Sequence, residues 1–450
     1  EAALLAARPE IEVYQRGGTL VRVVRASGRA SAVARDPAAP VIGALPPDAL
    51  VELMARSARW VRVVETANDG PSEVPAIPPK WAVAALAARA SWSFRPLEAI
   101  VEAPCLRPDG SLLDRPVYDE ATVILYEAAP GLAEVRVPDA PTAAEARAAL
   151  ARLHEVLDGF PFVEGCDRAA AVAAILTPLA RPAVRGPCPL FAIRAPAAGT
   201  GKSLLAHVAA AVATGRRAAI MAQEKESEEE RKSILAIGLE GDRVILIDNV
   251  ERPFGSDVLA GALTGTTFKQ RLLGANRRLE VPLVATWFAS GNNLVVRGDL
   301  GRRIVPIDLD AREERPETRS GFRIAGDLIE HVQRERPALV AAALTILRAW
   351  IVFRADPPDS YEPVDLERFG SFDGWSDLVR AALVWLGEPD PCAGRERLRA
   401  DSDPELLTLR DALTAWHATL GTDEITVSDL LTRIKPLFRG KDVTFSPEER

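Results

Sequence analysis

Cysteine and histidine are scarce, with four of each in 450 residues. Cys105, Cys166, Cys188 and Cys392 lie far apart and form no C-x-x-C pair. That excludes the usual zinc spacings and a disulfide framework, and it fits a reducing cytoplasm. His154, His207, His331 and His417 are equally scattered, and neither H-E-x-x-H nor G-x-S-x-G occurs. A zinc protease and a hydrolase elbow are therefore not expected. No apolar run reaches the roughly 18 residues of a membrane span, and the apolar stretch Ala341–Phe353 is broken by Arg348. The first residues show no basic segment followed by an apolar one, so no signal peptide is expected. Lysine is also rare, at seven of 55 basic residues. Against 63 acidic residues the formal charge is −8, which argues against a nonspecific polycation but leaves room for a locally basic channel.

What remains is ordinary globular composition, 48% hydrophobic and 26% charged, in a chain long enough for roughly two to four domains. Residues 1–150 read as a mixed α/β domain. Ile11–Gln15 and Thr19–Arg25 alternate around Gly17-Gly18 as a hairpin, and Asp48–Arg59 and Lys80–Ala90 have helical spacing. Residues 104–110 are turn-rich, and a helix is expected over Ala143–Leu157. Residues 151–184 read as linker helices.

From about 185 short apolar runs alternate with helices. Strands are expected at Leu190–Arg194, Ala218–Ala222, Val244–Asp248 and Leu283–Ser290, with helices at Lys202–Ala213 and Glu228–Leu239. That alternation implies a parallel sheet covered on both faces, bounded here at 185–312. Residues 313–450 read as mostly helical: Ala338–Ala355, Trp375–Leu386, Asp403–Leu420 and Val427–Ile434.

Four elements carry chemistry. Ala198-Gly199-Thr200-Gly201-Lys202-Ser203-Leu204 follows a strand and opens a helix, the setting a P-loop requires. Glycines let backbone N–H groups face phosphates at a helix N-terminus. Lys202 then pairs with the β/γ phosphates of ATP and the Ser203 hydroxyl with Mg²⁺. Pro196 stands where the full pattern has glycine. The apolar strand Val244–Ile247 ends in Asp248, suited to hold Mg²⁺ directly or through water. The next residue is Asn249, where many such ATPases carry a glutamate. Glu251, or Glu224, Glu226, Glu229 or Glu230, is then a candidate base, although the last four also suit a solvated helix start. The third element, Thr286–Asn293, ends in paired amides, of which Asn292 could orient the attacking water. The fourth, Gly298–Ile307, holds Arg302 and Arg303 just before a strand, where an arginine could reach a neighbour's nucleotide. An arginine supplied in trans adds roughly 10³–10⁵ in rate.

This order of motifs resembles the AAA+ ATPases, and more narrowly the superfamily-three helicases and the helicase portion of phage and mobile-element primase–helicase proteins. Tyr14–Gly18, Leu106–Ser111, Tyr118-Asp119, Gly370–Trp375 and Trp385–Gly387 extend the likeness to both flanks. The resemblance implies an α/β fold: a P-loop AAA+ core with a parallel sheet, an N-terminal mixed α/β domain and a C-terminal mostly helical domain. Glu424–Leu431 fits either a winged helix or plain helical packing. The resemblance further implies Asn292 as an amide sensor, Arg302 or Arg303 as a finger across a subunit boundary, and a ring, hexameric in its relatives' manner, around single-stranded DNA. A primase–polymerase domain is not expected in this chain.

Such a ring needs a grip on DNA. Thr267–Val281 reads as a hairpin around Gly274–Asn276, with Lys269, Arg271, Arg277 and Arg278 placed to meet phosphates and Phe268 to stack on a base or pack in the core. The expectation is an ATP-driven, DNA-binding helicase without a membrane segment, acting in the cytoplasm. A nucleotide-regulated DNA-binding initiator with weak ATPase is the alternative, and a small-molecule kinase a weaker one.

Overall fold

A computed structural model of the chain describes residues 12–26, 33–66, 70–89, 91–271 and 278–402, together with 409, 412–418 and 426. Residues 1–398 form one compact unit and 399–450 a second. Within the second, residues 412–418 are helical and exposed. The rest of the expected helices Asp403–Leu420 and Val427–Ile434, and nearly all of Glu424–Leu431, lie outside the described residues.

The first unit is built on a six-stranded sheet. Its strands are β1 (Val33–Ala34), β2 (Leu190–Ala195), β3 (Ala219–Met221), β4 (Val244–Ile247), β5 (Thr286–Asn292) and β6 (Ile304–Asp308). Their spatial order is β6-β2-β5-β4-β3-β1, parallel throughout except for β1. β2 and β4 are buried along their whole length, as continuous apolar strings of a sheet covered on both faces must be. β5 starts at Thr286 rather than Leu283, because the Leu283 N–H bonds to Thr266 beside the neighbouring hairpin.

Helices packed around the sheet among the described residues include α1 (Ala143–Leu157), α2 (Gly165–Ala180), α3 (Lys202–Thr214), α4 (Ser227–Glu240), α5 (Asp257–Thr264) and α6 (Leu328–Ala355). The segment expected as linker helices contains α2, buried continuously from Ala169 to Ala180. Its run of alanines leaves no polar face and lets it approach α3 and α6 closely. α6 begins ten residues before its expected start and passes through Pro337. An interior proline loses one backbone bond; here Asp327 caps the helix by accepting from the Ile329 and Glu330 N–H groups, and Ile329 and Val332 are buried. Among the described residues α6 is the one helix long and apolar enough to cross a membrane, and Leu339, Val340, Leu344 and Leu347 on it are packed in the core. The expected helix Trp375–Leu386 is divided, with a π-turn over Ser376–Arg380 between Asp373–Trp375 and Ala381–Trp385.

α6 also secures the far end of α3. The buried Arg336 guanidinium donates to the carbonyls of Val212 (3.0 Å), Ala213 (2.9 Å) and Glu102 (3.1 Å). A cation at a helix C-terminus satisfies its last carbonyls and opposes its dipole. Burial pulls the Arg336 pKa down to about 10, against the attraction of Glu102.

The flanking sequence motifs are structural pairs. Gly17 and Gly18 turn the N-terminal hairpin at φ 53° and 71°, values that suit its two-residue turn. Gln15 Nε2 binds the carbonyls of Trp92 (2.8 Å) and Phe94 (2.6 Å), and buried Arg16 reaches those of Leu97 (2.9 Å) and Gly238 on α4 (2.5 Å). Arg107 pairs with Asp119 at 2.8 Å, and Trp375 Nε1 donates to Thr177 of α2 at 2.9 Å. Residues 1–150 are thus joined to the sheet's helices through named contacts.

Candidate nucleotide-binding site

The carboxyl ends of the parallel strands form one edge, where a ligand site is expected in such a sheet. β2 leads at this edge into the loop Pro196–Gly201, and α3 follows. Gly199 and Gly201 adopt φ 78° and 92°, which a side chain rarely tolerates. A Cβ on Gly199 would stand 2.9 Å from the Glu317 backbone nitrogen, and one on Gly201 3.2 Å from Phe160. Lys202 Nζ folds back on its own loop, donating to the Ala197 carbonyl at 2.9 Å and to Thr200 Oγ1 at 3.3 Å. Burial lowers the Lys202 pKa, while Asp248 acts in the opposite direction.

Ser203, in the first turn of α3, donates to Asp248 Oδ1 at 2.6 Å. The same oxygen accepts from Ser290 Oγ at 2.5 Å, and the two hydroxyl oxygens are 3.4 Å apart. Burial acts to raise the Asp248 pKa, but the hydroxyls of Ser203 and Ser290 and the Asn249 N–H outweigh it and hold the carboxyl below its ordinary value. These are hard oxygen donors beside a lysine, a set that suits Mg²⁺ completed by phosphate oxygens. Among the described residues no cluster of three or more His, Cys, Asp or Glu could hold a metal unaided.

Asn292 ends β5 in register with Ala195, the last residue of the P-loop strand, and the Asn293 N–H bonds to the Ala195 carbonyl at 3.0 Å. The exposed Asn292 therefore stands at the same edge as Lys202, Ser203 and Asp248. Glu251 is exposed and accepts from Asn249 Nδ2 at 2.7 Å. Asn249 is itself left-handed at φ 52°, a conformation asparagine adopts more readily than glutamate. Of the other acids, Glu230 accepts from Ser256 at 2.5 Å, and Glu229 pairs with Lys232.

The two arginines lie elsewhere. Ile304 opens β6 opposite Leu190, the first residue of β2, so Arg302 and Arg303 sit at the amino edge of the sheet. One strand length, about 17 Å at roughly 3.3 Å per residue, separates that edge from the P-loop edge. Neither arginine reaches the P-loop of this chain. Arg303 is 9% exposed at its side chain and binds both the carbonyl and the carboxylate of Asp299, whereas Arg302 is 65% exposed and also paired with Asp299.

A cavity of about 330 Å³ adjoins the loop, between the end of α1 and residues 316–328. Phe160, Gly201, Leu204, Arg319, Phe322 and Asp327 line it. Arg319 donates to the Gly159 carbonyl at 3.1 Å, and its guanidinium lies 5.3 Å from the Phe322 ring centre. Phe160, Arg319, Phe322 and Asp327 escaped sequence reasoning because no spacing links them to the loop. Ser290 escaped it too, although the strand that carries it is legible.

The expected hairpin is Thr267–Arg271 paired with Arg278–Pro282, with Lys269 opposite Glu280. Phe268 is 8% exposed and packs with Val281, which decides for the core and against stacking. Lys269 pairs with Glu280 at 3.1 Å on the surface. Arg277 and the side chains of Arg271 and Arg278 lie outside the described residues.

No family model and no curated protein matches the chain. Among solved structures, the apo NrS-1 C-terminal region is similar at 10% identity, covering 88% of this chain and 84% of its own, with a TM-score of 0.39. JCV helicase aligns at 13% identity over 59% of this chain and 69% of its own, TM-score 0.23. NtrX from Brucella abortus, solved with ADP, aligns at 17% identity over 56% and 64%, TM-score 0.22. All three scores lie below 0.5, so the functional reading rests on the chain's own residues.

Proposed function

We propose that this chain binds ATP and Mg²⁺ at the carboxyl edge of the six-stranded sheet, hydrolyses ATP at a subunit boundary, and uses the cycle to move along DNA. The carrying observation is the contact of Ser203 with Asp248 at 2.6 Å, directly beside Lys202. In this reading the N–H groups of residues 198–204 cradle the phosphates, and Lys202 leaves its contacts with Ala197 and Thr200 to pair with the β/γ oxygens. Ser203 and Asp248 hold the Mg²⁺, which when bound neutralises phosphate charge. Asn292 orients the attacking water. The cavity by Phe160 and Phe322 receives the base.

The amino-edge position of Arg302 supports a head-to-tail ring, in which one subunit's exposed guanidinium completes a neighbour's pocket. A hexamer is the ring size carried over from the resemblance. Lys269 and its hairpin would face single-stranded DNA in the channel, and replication of a phage or mobile element is the setting. Purified protein should turn over ATP faster with single-stranded DNA, assemble with ATP, and separate strands. Turnover indifferent to both DNA and assembly would sink this reading.

One observation favours a second reading, a nucleotide-regulated DNA-binding initiator with weak ATPase. Asn249 occupies the place after Asp248 and ties up Glu251, the nearest acid in sequence.

A further inference from the structure

Ser290 is 1% exposed and lies on β5 one residue past Ala289, which faces Ile247 at the end of β4. Its Oγ donates to Asp248 Oδ1 at 2.5 Å and accepts from the Asn249 N–H at 3.4 Å. Its carbonyl accepts from the Val250 N–H at 2.7 Å. One residue therefore grips the Asp248 carboxylate through its side chain and the turn after it through its backbone. Every other position of β5 from Thr286 to Gly291 is buried as well, and three of them are Phe288, Ala289 and Gly291, without side-chain polarity. A buried hydroxyl is unfavourable unless it is hydrogen-bonded, and the partner here is Asp248.

We propose that Ser290 is a positioning residue for the divalent-cation site, aiming the Asp248 carboxylate from behind; this rests on the nucleotide-site reading above. Ser203 has one hydroxyl, whose oxygen that reading assigns to the cation. Its proton is then one hold on Oδ1, and the Asn249 N–H acts on the same carboxylate. The Ser290 proton is a second hold on the same oxygen, from a residue that points away from solvent. Groups that orient a metal ligand in this way typically change metal affinity about 10–100-fold when removed.

The test uses the full chain with Mn²⁺ as the probe, followed by electron paramagnetic resonance in saturating nonhydrolysable ATP analogue. Analogue affinity in chelator is measured alongside. Ser290→Ala is expected to weaken Mn²⁺ binding about 10–100-fold, to leave chelator-state affinity within about two-fold of wild type, and to be rescued by Ser290→Thr. Should Ser290→Ala fail to melt cooperatively, Ser290→Cys, of similar size but a poor donor, carries the same measurement. Mn²⁺ affinity unchanged in a folded variant overturns the inference, as does an equal loss of analogue affinity in chelator. Wild-type protein that binds no analogue at all would instead overturn the site reading on which the inference stands.

Discussion

Asn249 donates a 2.7 Å hydrogen bond from Nδ2 to Glu251 while its own backbone is held at φ 52°. The missing glutamate after Asp248 thus has a backbone reason. Asn249→Glu should cost about 1–2 kcal/mol of stability, read from denaturation midpoints, and Asn249→Gly far less. If Glu251 is the base, Glu251→Gln should cut kcat about 10²–10⁴-fold with ATP affinity unchanged. A large rise in turnover in Asn249→Glu would favour the initiator reading.

Lys202 is the only basic side chain tied to the loop carbonyl of Ala197 among the described contacts. Lys202→Ala should reduce ATP turnover at least about 100-fold, the scale of losing one charge stabiliser. Its bonds are local to the loop, so the thermal midpoint should stay near wild type. Retained turnover would remove the P-loop from the mechanism.

Arg302 and Arg303 should separate in their effects. Arg302→Ala should lower turnover with ATP binding and melting intact, because its side chain is exposed. Arg303→Ala should destabilise the fold by about 1–3 kcal/mol, since its buried guanidinium holds the turn that includes Asp299. Mixing Arg302→Ala protein with Lys202→Ala protein should restore part of the turnover if the finger acts in trans.

Phe268 and Lys269 are neighbours with opposite tasks. Phe268→Ala should cost about 3–5 kcal/mol as a core truncation. Lys269→Ala should barely change stability, since exposed ion pairs contribute about 0–1 kcal/mol. It should instead reduce the salt slope of single-strand binding by about 0.7 for one lost phosphate contact. An unchanged slope would take Lys269 off the DNA.

The acid limb of ligand binding should follow Asp248. Its folded pKa lies below the ordinary 3.8, so its contribution is present above that value and lost as pH falls through the folded one. Ser203→Ala removes a donor to the ionised form, which moves the folded pKa up. The acid limb of nucleotide binding in that variant should therefore lie at a higher pH than in wild type, measured by fluorescence across buffers on both sides of pH 3.8.

The parallel strands, the P-loop and its helix were legible because buried strands must be apolar and glycines mark a tight turn. Residues 151–184 are legible as helical, but the burial of α2 is not, since alanine-rich sequence shows no amphipathic stripe to mark a core-facing side. Phe160, Arg319 and Phe322 were not legible at all, since a cavity wall drawn from two distant segments leaves no periodic trace.

Local chemistry along the chain determined where Lys202, Ser203, Asp248 and Asn292 belong: each sits at the end of a strand or the start of a helix, and such ends are written in short-range patterns. Only the tertiary structure decided that Asn249 is left-handed, that Ser290 shares an oxygen with Ser203, and that Arg302 faces out where Arg303 is buried. Those outcomes depend on strand register and on which side of a turn meets solvent, and both are set by packing between segments far apart in the chain.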